Sequence, residues 1–390
     1  MKNRWVVLLA IGLVAGCGES HTTGTAGSTS TVHAGESIQA AIEAAAPNTT
    51  IFVEPGVYHE SASALSAVII STDSIHLVGR PRAGQPVVLE NIGNQQNGIV
   101  IAPANSVEIS TDEHPGEHPA CGVSGDLLHG SSVQGFTVRG FDQFGIYLAC
   151  VEHFSLSANK GESNLLYSLF PVRSHNGTIS DNEAQGTELD AAIYIGQSDH
   201  VTITGNTAHD NLLGLEVENS SDVTASGNQI FNNTLGIVAD INAGLQKTDQ
   251  TNVVISDNDV HDNNRANSGS ADDTEAAPPG TGIVILGGSM VTVEKNRIGH
   301  NGFVGVIVAN YCASPSACHD LDINPNPEHV RVVDNELTAN GMMPPPDPIE
   351  AGLAADLIWD KTGTDNCWSG NTPTATAKVL GGGTTLPACQ

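Results

Sequence analysis

Hydrophobic and polar residues alternate in short runs along most of the chain. Ala192-Ile193-Tyr194-Ile195, Val201-Thr202-Ile203-Thr204 and Thr207-Ala208-His209 each alternate with period two, and polar, Gly or Asn residues separate them. That period puts successive side chains on opposite faces of a strand. Asparagine punctuates the runs at Asn159, Asn182, Asn206, Asn228, Asn258, Asn296 and Asn335, with first intervals of 23, 24 and 22 residues. The later intervals are longer, and each contains an insertion. Five residues after six of these seven stands a second asparagine: Asn164, Asn211, Asn233, Asn263, Asn301 and Asn340; after Asn182 the place is taken by Thr187. A fixed period near 22 predicts a solenoid. Three short strands per turn with no helix between them predict an all-β, single-stranded parallel β-helix of about ten coils. Crossovers between parallel strands are right-handed, which selects the right-handed form. Leucine-rich repeats have this period too, but they need leucines at fixed positions, and those are absent.

The first asparagine column has a structural reason. The coil must turn sharply after its second strand, and Asn tolerates the left-handed conformation and bonds its own backbone. Stacked amides on successive coils, about 4.8 Å apart, also bond one another. The column is therefore read as scaffold, not as a row of ligands. At the start of the domain, Glu36–Ala45 places Ile38, Ala41, Ile42 and Ala45 on one helical face, which predicts a helix capping the first coil. Ile51–Tyr58 reads as a strand and a Pro-Gly turn. The β-helix is expected over residues 32–340, with the Pro-rich then apolar segment 341–390 as a C-terminal cap.

Residues 1–16 carry Lys2 and Arg4 ahead of the apolar run Trp5–Ala15, too short to span a bilayer. The run ends in Leu13-Val14-Ala15-Gly16-Cys17, which resembles a bacterial lipobox. The resemblance implies a lipoprotein signal peptide, lipid on Cys17, a flexible tether over 17–31, and residence in the bacterial cell envelope, facing the periplasm or on the cell surface. Seven cysteines less Cys17 leave six. Cys312 with Cys318 and Cys367 with Cys389 could pair locally, leaving Cys121 and Cys150. Reduced cysteines or metal ligands are the alternative, but no CxxC occurs to favour zinc.

Composition narrows the partners. Acids number 43 against 14 bases, a formal charge of −29. There is no basic footprint for nucleic acid or anionic lipid. An anionic polysaccharide would be repelled unless a metal bridged it.

The stretches Leu166–Val172, Asp190–Ser198 and Gly214–Ser220 resemble a bacterial family of exported proteins with parallel β-helix repeats, pectin-lyase-like in fold and often bearing lipoprotein leaders. The similarity runs from about residue 32 to the Cys367 region. It departs from the family at Ser168, where glycine is usual, and at Ala192, also usually glycine. The resemblance implies the fold, the compartment and an exported partner protein, because members are commonly encoded beside one. It implies no activity.

Chemistry is expected on the first strand of each coil. Aligned on glycine, these strands point Ile146, Ile193, Leu215, Ile237, Ile283 and Val306 inward. The next residues point outward: Tyr147, Phe170, Tyr194, Glu216, Val238, Val284 and Ile307. Two residues on, Glu218 and Asp240 also face out. Tyr147, Phe170 and Tyr194 form an aromatic run suited to stacking on sugars, with Arg173, Gln197 and Asn219 as further substrate contacts; equally, the long insertions could cover these rings as local core. Glu218 and Asp240 occupy equivalent positions about 5 Å apart on adjacent coils. Such a pair recruits a cation, with Ca²⁺ the best match for hard oxygen ligands. Tyr194, Glu216, Glu218 and Asp240 could instead serve acid–base catalysis, or be solvated acids. The insertions 241–250, 265–280 and 311–329 border the same face and could wall a cleft. His209 and His261 align two coils apart with Phe231 between them, and His153 and His200 align in a turn on adjacent coils; all four are read as structural. No nucleophile elbow, phosphate loop or zinc motif occurs. The functional expectation is a carbohydrate-facing binding or accessory protein acting with an exported partner. The alternative is a polysaccharide lyase or epimerase with a Ca²⁺-assisted acidic site.

Overall fold

A computed structural model describes residues 27–104, 121, 126–269, 277–313, 322–373 and 376–390. The leader with Cys17 and most of the tether lie outside these residues. A regular coil contributes one strand to each of three parallel sheets; two coils give sheet 2 a pair of short strands, Leu128–His129 with Ser132–Gln134 and Val151–Glu152 with Ser155–Ser157. In one regular coil the three strands are Ala191–Gly196, Asp199–Thr204 and Thr207–His209, before Leu213–Glu218 opens the next. Among the described residues sheet 1, built from the first strands, has 11 strands, sheet 2 has 14 and sheet 3 has 10. The inward residues of sheet 1, including Ile146, Ile193, Leu215, Ile237, Ile283 and Val306, join one continuous core along the coil axis.

Both asparagine columns are hydrogen-bonded ladders. Asn206 Nδ2 donates to Asn228 Oδ1 at 3.0 Å and to the Ile179 carbonyl at 2.9 Å, while its backbone N–H donates to Asn228 Oδ1 at 2.9 Å. The same pattern links Asn159, Asn182, Asn228, Asn258, Asn296 and Asn335, and continues to Asn371, which the sequence period did not reach. In the second column Asn211 donates to Asn233, Asn233 to Asn263, Asn263 to Asn301 and Asn301 to Asn340. The left-handed residue is not the ladder asparagine, as expected, but the one before it: Asp181 (φ 55°), Gly205 (67°), Gly227 (65°) and Asp257 (55°). The turn is made by that residue, and the asparagine side chain is left to bond the neighbouring coil. A third, shorter ladder runs through serines after sheet 1: the N–H of Ser174 donates to Ser198 Oγ, and that of Ser198 to Ser220 Oγ.

A glycine column in sheet 1 lies against the second asparagine ladder. A Cβ on Gly214 would stand 2.7 Å from the Gly236 carbonyl oxygen, 2.5 Å from Ile230 and 3.0 Å from Asn233 Nδ2. Glycine is required there by close approach.

The N-terminal helix spans Ile38–Glu43 and buries Ile38 and Ile42. Ser37 Oγ accepts from the Ala40 N–H at 3.1 Å, and Glu60 accepts from the N–H groups of Ile38 (2.7 Å) and Gln39 (3.3 Å). Both satisfy donors that the first helical turn leaves open. Two boundaries move. Ser28–Val32 pairs in parallel with Thr49–Val53, so the segment expected to be a tether enters sheet 2 before residue 31. Beyond residue 340, Ala355–Trp359 and Ala377–Val379 extend sheet 1, and Cys367–Ser369 extends sheet 2, so the expected cap continues the coils. Disulfides join Cys121 to Cys150 and Cys367 to Cys389. Cys312 is also disulfide-bonded; Cys318 lies outside the described residues.

Candidate functional site

Register in sheet 1 aligns Tyr194 with Glu216 and Val238, and Gly196 with Glu218 and Asp240. Glu216, Glu218 and Asp240 therefore meet on the outer face, and one carboxylate oxygen of each lies within 4.8 Å of the others. They are buried, at 8%, 7% and 6% exposure. Tyr194 reaches across to this group: its hydroxyl donates to Glu218 Oε1 at 2.5 Å. Gly196 makes that reach possible. The Tyr194 ring lies over it, and a Cβ there would stand 2.6 Å from Tyr194 Cε1.

Two residues not singled out from the sequence complete the cluster. Asp190, just before the strand Ala191–Gly196, is hydrogen-bonded to Glu216 and accepts from the Tyr167 hydroxyl at 2.9 Å. Asp190 stands in a column with Gln143, Leu166, Leu212, Thr234, Gly280 and Phe303, none of them an acid, so no repeat marks it. Burial, and then the charges of Asp190, Asp240 and Glu218, push the Glu216 carboxyl well above its ordinary range. Glu216 Oε2 is buried and accepts no hydrogen bond. Burial and the neighbouring carboxylates raise the Tyr167 and Tyr194 phenols in the same way, so both remain protonated donors.

The aromatic run does not present rings to solvent. Tyr147 and Phe170 are fully buried and Tyr194 is 4% exposed. With Phe144 and Tyr167 they pack ring on ring at 4.5–5.6 Å, inside a second apolar cluster on the outside of sheet 1. Their expected role as an open sugar platform is corrected to that of local core. The disulfide from Cys121 to Cys150 and the partly buried Ala277 belong to the same cluster.

Gln197 and Asn219, expected as substrate contacts, instead fasten the insertion 241–250. Gln197 Oε1 accepts from the N–H groups of Gln246 (3.0 Å) and Lys247 (3.1 Å). Asn219 Nδ2 donates to the carbonyls of Asn242 (2.9 Å) and Lys247 (2.6 Å). The insertion closes over the acids: Asn242 Nδ2 donates to Glu218 Oε2, and to Asp240 Oδ2 at 3.4 Å. Arg173 is partly buried in a left-handed turn (φ 47°) and interacts electrostatically with Tyr147. Tyr194 and Glu216 thus meet under a cover, not along an open cleft. His209, Phe231 and His261 form a stack with centroids 5.0 and 5.3 Å apart, the structural role expected of them. His153 and His200 are two coils apart, not adjacent, because Glu152 pairs with His175 and His175 with Asp199.

Comparison with known proteins agrees with this geometry. The family described as right handed beta helix region matches residues 144–319. The chain folds as a right-handed parallel β-helix. No curated protein matches its sequence. Among solved structures the β-helix is similar to the mannuronan C-5 epimerase AlgE4 A-module of Azotobacter vinelandii, with TM-score 0.54 and 14% identity over 89% of this chain and 93% of that one. It is also similar to the Dettilon tailspike protein, with TM-score 0.52 and 12% identity over 90% of this chain and 60% of the tailspike. A double mutant of the periplasmic alginate epimerase AlgG gives TM-score 0.50 and 14% identity over 90% of this chain and 77% of the epimerase. At these identities the likeness is one of fold.

Proposed function

We propose that the protein is a carbohydrate-facing binding or accessory β-helix of the bacterial cell envelope, held there by lipid on Cys17 and acting with an exported partner. The observation that carries the preference for binding over turnover is the closure of sheet 1. The acids and tyrosines that would do chemistry are buried beneath the insertion 241–250, and a polymer needs an open groove to reach a catalytic pair. The fold shared with a mannuronan C-5 epimerase and an alginate epimerase supports a polysaccharide as the ligand class. With a formal charge of −29, an uncharged glycan is favoured, or an anionic one bridged by a cation.

Glu216, Glu218 and Asp240 fit Ca²⁺. They offer hard oxygen donors on a rigid frame, and Glu216 Oε2 has no other hydrogen-bond partner. Bound there, the ion would neutralise the repulsion that raises the Glu216 carboxyl and would lock the insertion through Glu218, Asp240 and Asn242. Calcium is expected to raise the melting temperature. At a hundred times its dissociation constant a ligand adds about 2.7 kcal/mol. Glu218→Gln with Asp240→Asn should abolish the rise, and an unchanged melting temperature in calcium for the wild type would remove the ion from this reading.

The second reading, a polysaccharide lyase or epimerase, has one observation in its favour. A short Tyr194–Glu218 hydrogen bond stands beside the protonated-prone Glu216, which is an acid–base arrangement. Incubation with neutral and uronate polysaccharides separates the two. Retention of glycan without new reducing ends, unsaturated products or altered stereochemistry supports binding; turnover that Tyr194→Phe removes supports the enzyme. Cys17→Ser should move the protein from the membrane to the soluble fraction without lowering its melting temperature, and unchanged membrane partition would overturn the anchor.

A further inference from the structure

A second donor set lies at the turn between sheets 1 and 2, apart from the acidic cluster. Register places His129 beside Glu152, Glu152 beside His175, and His175 beside Asp199 on successive coils. Imidazole and carboxylate therefore alternate along the stack. One residue after Glu152, His153 sits in a left-handed turn (φ 57°) and brings a second imidazole to the same carboxylate. Glu152 Oε2 is 3.1 Å from His129 Nδ1, and Glu152 Oε1 is 3.8 Å from His153 Nδ1. One ligand atom from each of the three lies within 4.8 Å of the other two.

The frame beneath these side chains is fixed. The His129 N–H donates to Asp73 Oδ1 at 2.8 Å, the His153 N–H donates to the His175 carbonyl at 3.0 Å, and Asn176 Nδ2 holds Glu152 Oε1 at 3.2 Å. The ring ends are not fixed: the His129 and His153 side chains are 51% and 66% exposed. Donors at about 2.0–2.2 Å from a tetrahedral ion lie roughly 3.3–3.5 Å from one another. Rotation of the two exposed rings about their side-chain torsions is the movement that would close the remaining gap. Two imidazole nitrogens and one carboxylate oxygen suit a first-row divalent transition ion and do not suit Ca²⁺ or Mg²⁺, which take oxygen.

We infer that His129, Glu152 and His153 form a mononuclear site for a divalent transition ion of the Zn²⁺ class. Three protein donors on an exposed turn leave the remaining coordination position facing solvent, as exchange of an outside oxygen or nitrogen ligand requires. The site owes nothing to Glu216, Glu218 or Asp240, so it stands whether or not the acidic cluster binds calcium.

The test uses the full-length chain, purified without a histidine tag and stripped of metal, titrated with Zn²⁺ by calorimetry and with Co²⁺ by visible absorption at pH 7.5. One saturable Zn²⁺ equivalent, unaffected by millimolar Ca²⁺, with a matching Co²⁺ ligand-field band, is expected. His129→Gln with His153→Asn, the asparagine chosen because it accepts the left-handed turn, should weaken binding roughly tenfold or more and remove the band. Glu152→Gln alone should weaken it less, while Glu218→Gln with Asp240→Asn should leave it unchanged. Zn²⁺ isotherms that are the same for wild type and the double histidine variant, both melting at the same temperature, would overturn the assignment. So would equal competition by Ca²⁺.

Discussion

At the scale of single residues, the ladder asparagines hold more than their own turns. Asn228 donates to the Ile203 carbonyl and to Asn258 Oδ1, and accepts from both the backbone and the side chain of Asn206. Asn228→Ala removes four hydrogen bonds and leaves buried donors and an acceptor open, at a cost of about 1–3 kcal/mol; a thermal melt equal to wild type would contradict this. Gly196→Ala is a second sharp case. Its backbone conformation suits alanine, so the whole penalty is the collision with the Tyr194 ring, about 1–3 kcal/mol for an overpacked site. Repeating it in a Tyr194→Leu background should recover most of that loss, and the difference between the two penalties measures the coupling. The asparagine period was readable because a ladder demands one residue type at one place in every coil. Asp190 was not, because nothing repeats its role in neighbouring coils.

At the scale of elements, the strands of sheet 1 were legible down to which residues point in and which point out. What packs on the outward side was not. Period two separates the faces of a strand, but it carries no information about a partner that arrives from an insertion many residues away. Tyr147, Phe170 and Tyr194 therefore read the same whether they are a sugar platform or a covered core. The insertion 241–250 is where that distinction becomes measurable. It is held by Gln197 and Asn219, and its Lys247 ammonium contacts Asp199 at 3.2 Å and Ser221 Oγ at 3.0 Å. Asn219→Ala should free the segment, and trypsin should then cut after Lys247 several times faster than in wild type, read by mass spectrometry of early digests. Cleavage at the wild-type rate would mean that Gln197 and the Lys247 contacts suffice. The Pro-rich then apolar composition of 341–390 reads as a cap, yet three segments within it pair into the sheets. Strand pairing needs only a few residues in register, so that composition does not exclude it.

At the scale of the whole molecule, the raised Glu216 carboxyl makes stability depend on pH. Its folded value exceeds the unfolded one near 4.5, so the folded state binds the proton more tightly. Its contribution is favourable below about pH 4.5 and is lost as pH rises through the folded value. In metal-free buffer, Glu216→Gln should therefore gain stability relative to wild type as pH rises from about 4.5, and the difference should shrink when calcium is added if the cluster holds the ion. Denaturant midpoints across the pH range read both. A flat difference between variant and wild type would show that Glu216 is not the group responsible.

The ladder also bears on how such a molecule can change over generations. Successive rungs are separated by 22, 30, 38 and 39 residues, yet the amide bonds between them stay at 2.9–3.0 Å. The frame does not register how much chain has left and returned between two rungs. Genetic insertions between coils are thereby uncoupled from folding, and so is duplication of a whole coil, which would lengthen the stack by about 4.8 Å. New surface can be acquired at the turns, one insertion at a time, while the amide column beneath it keeps the same spacing.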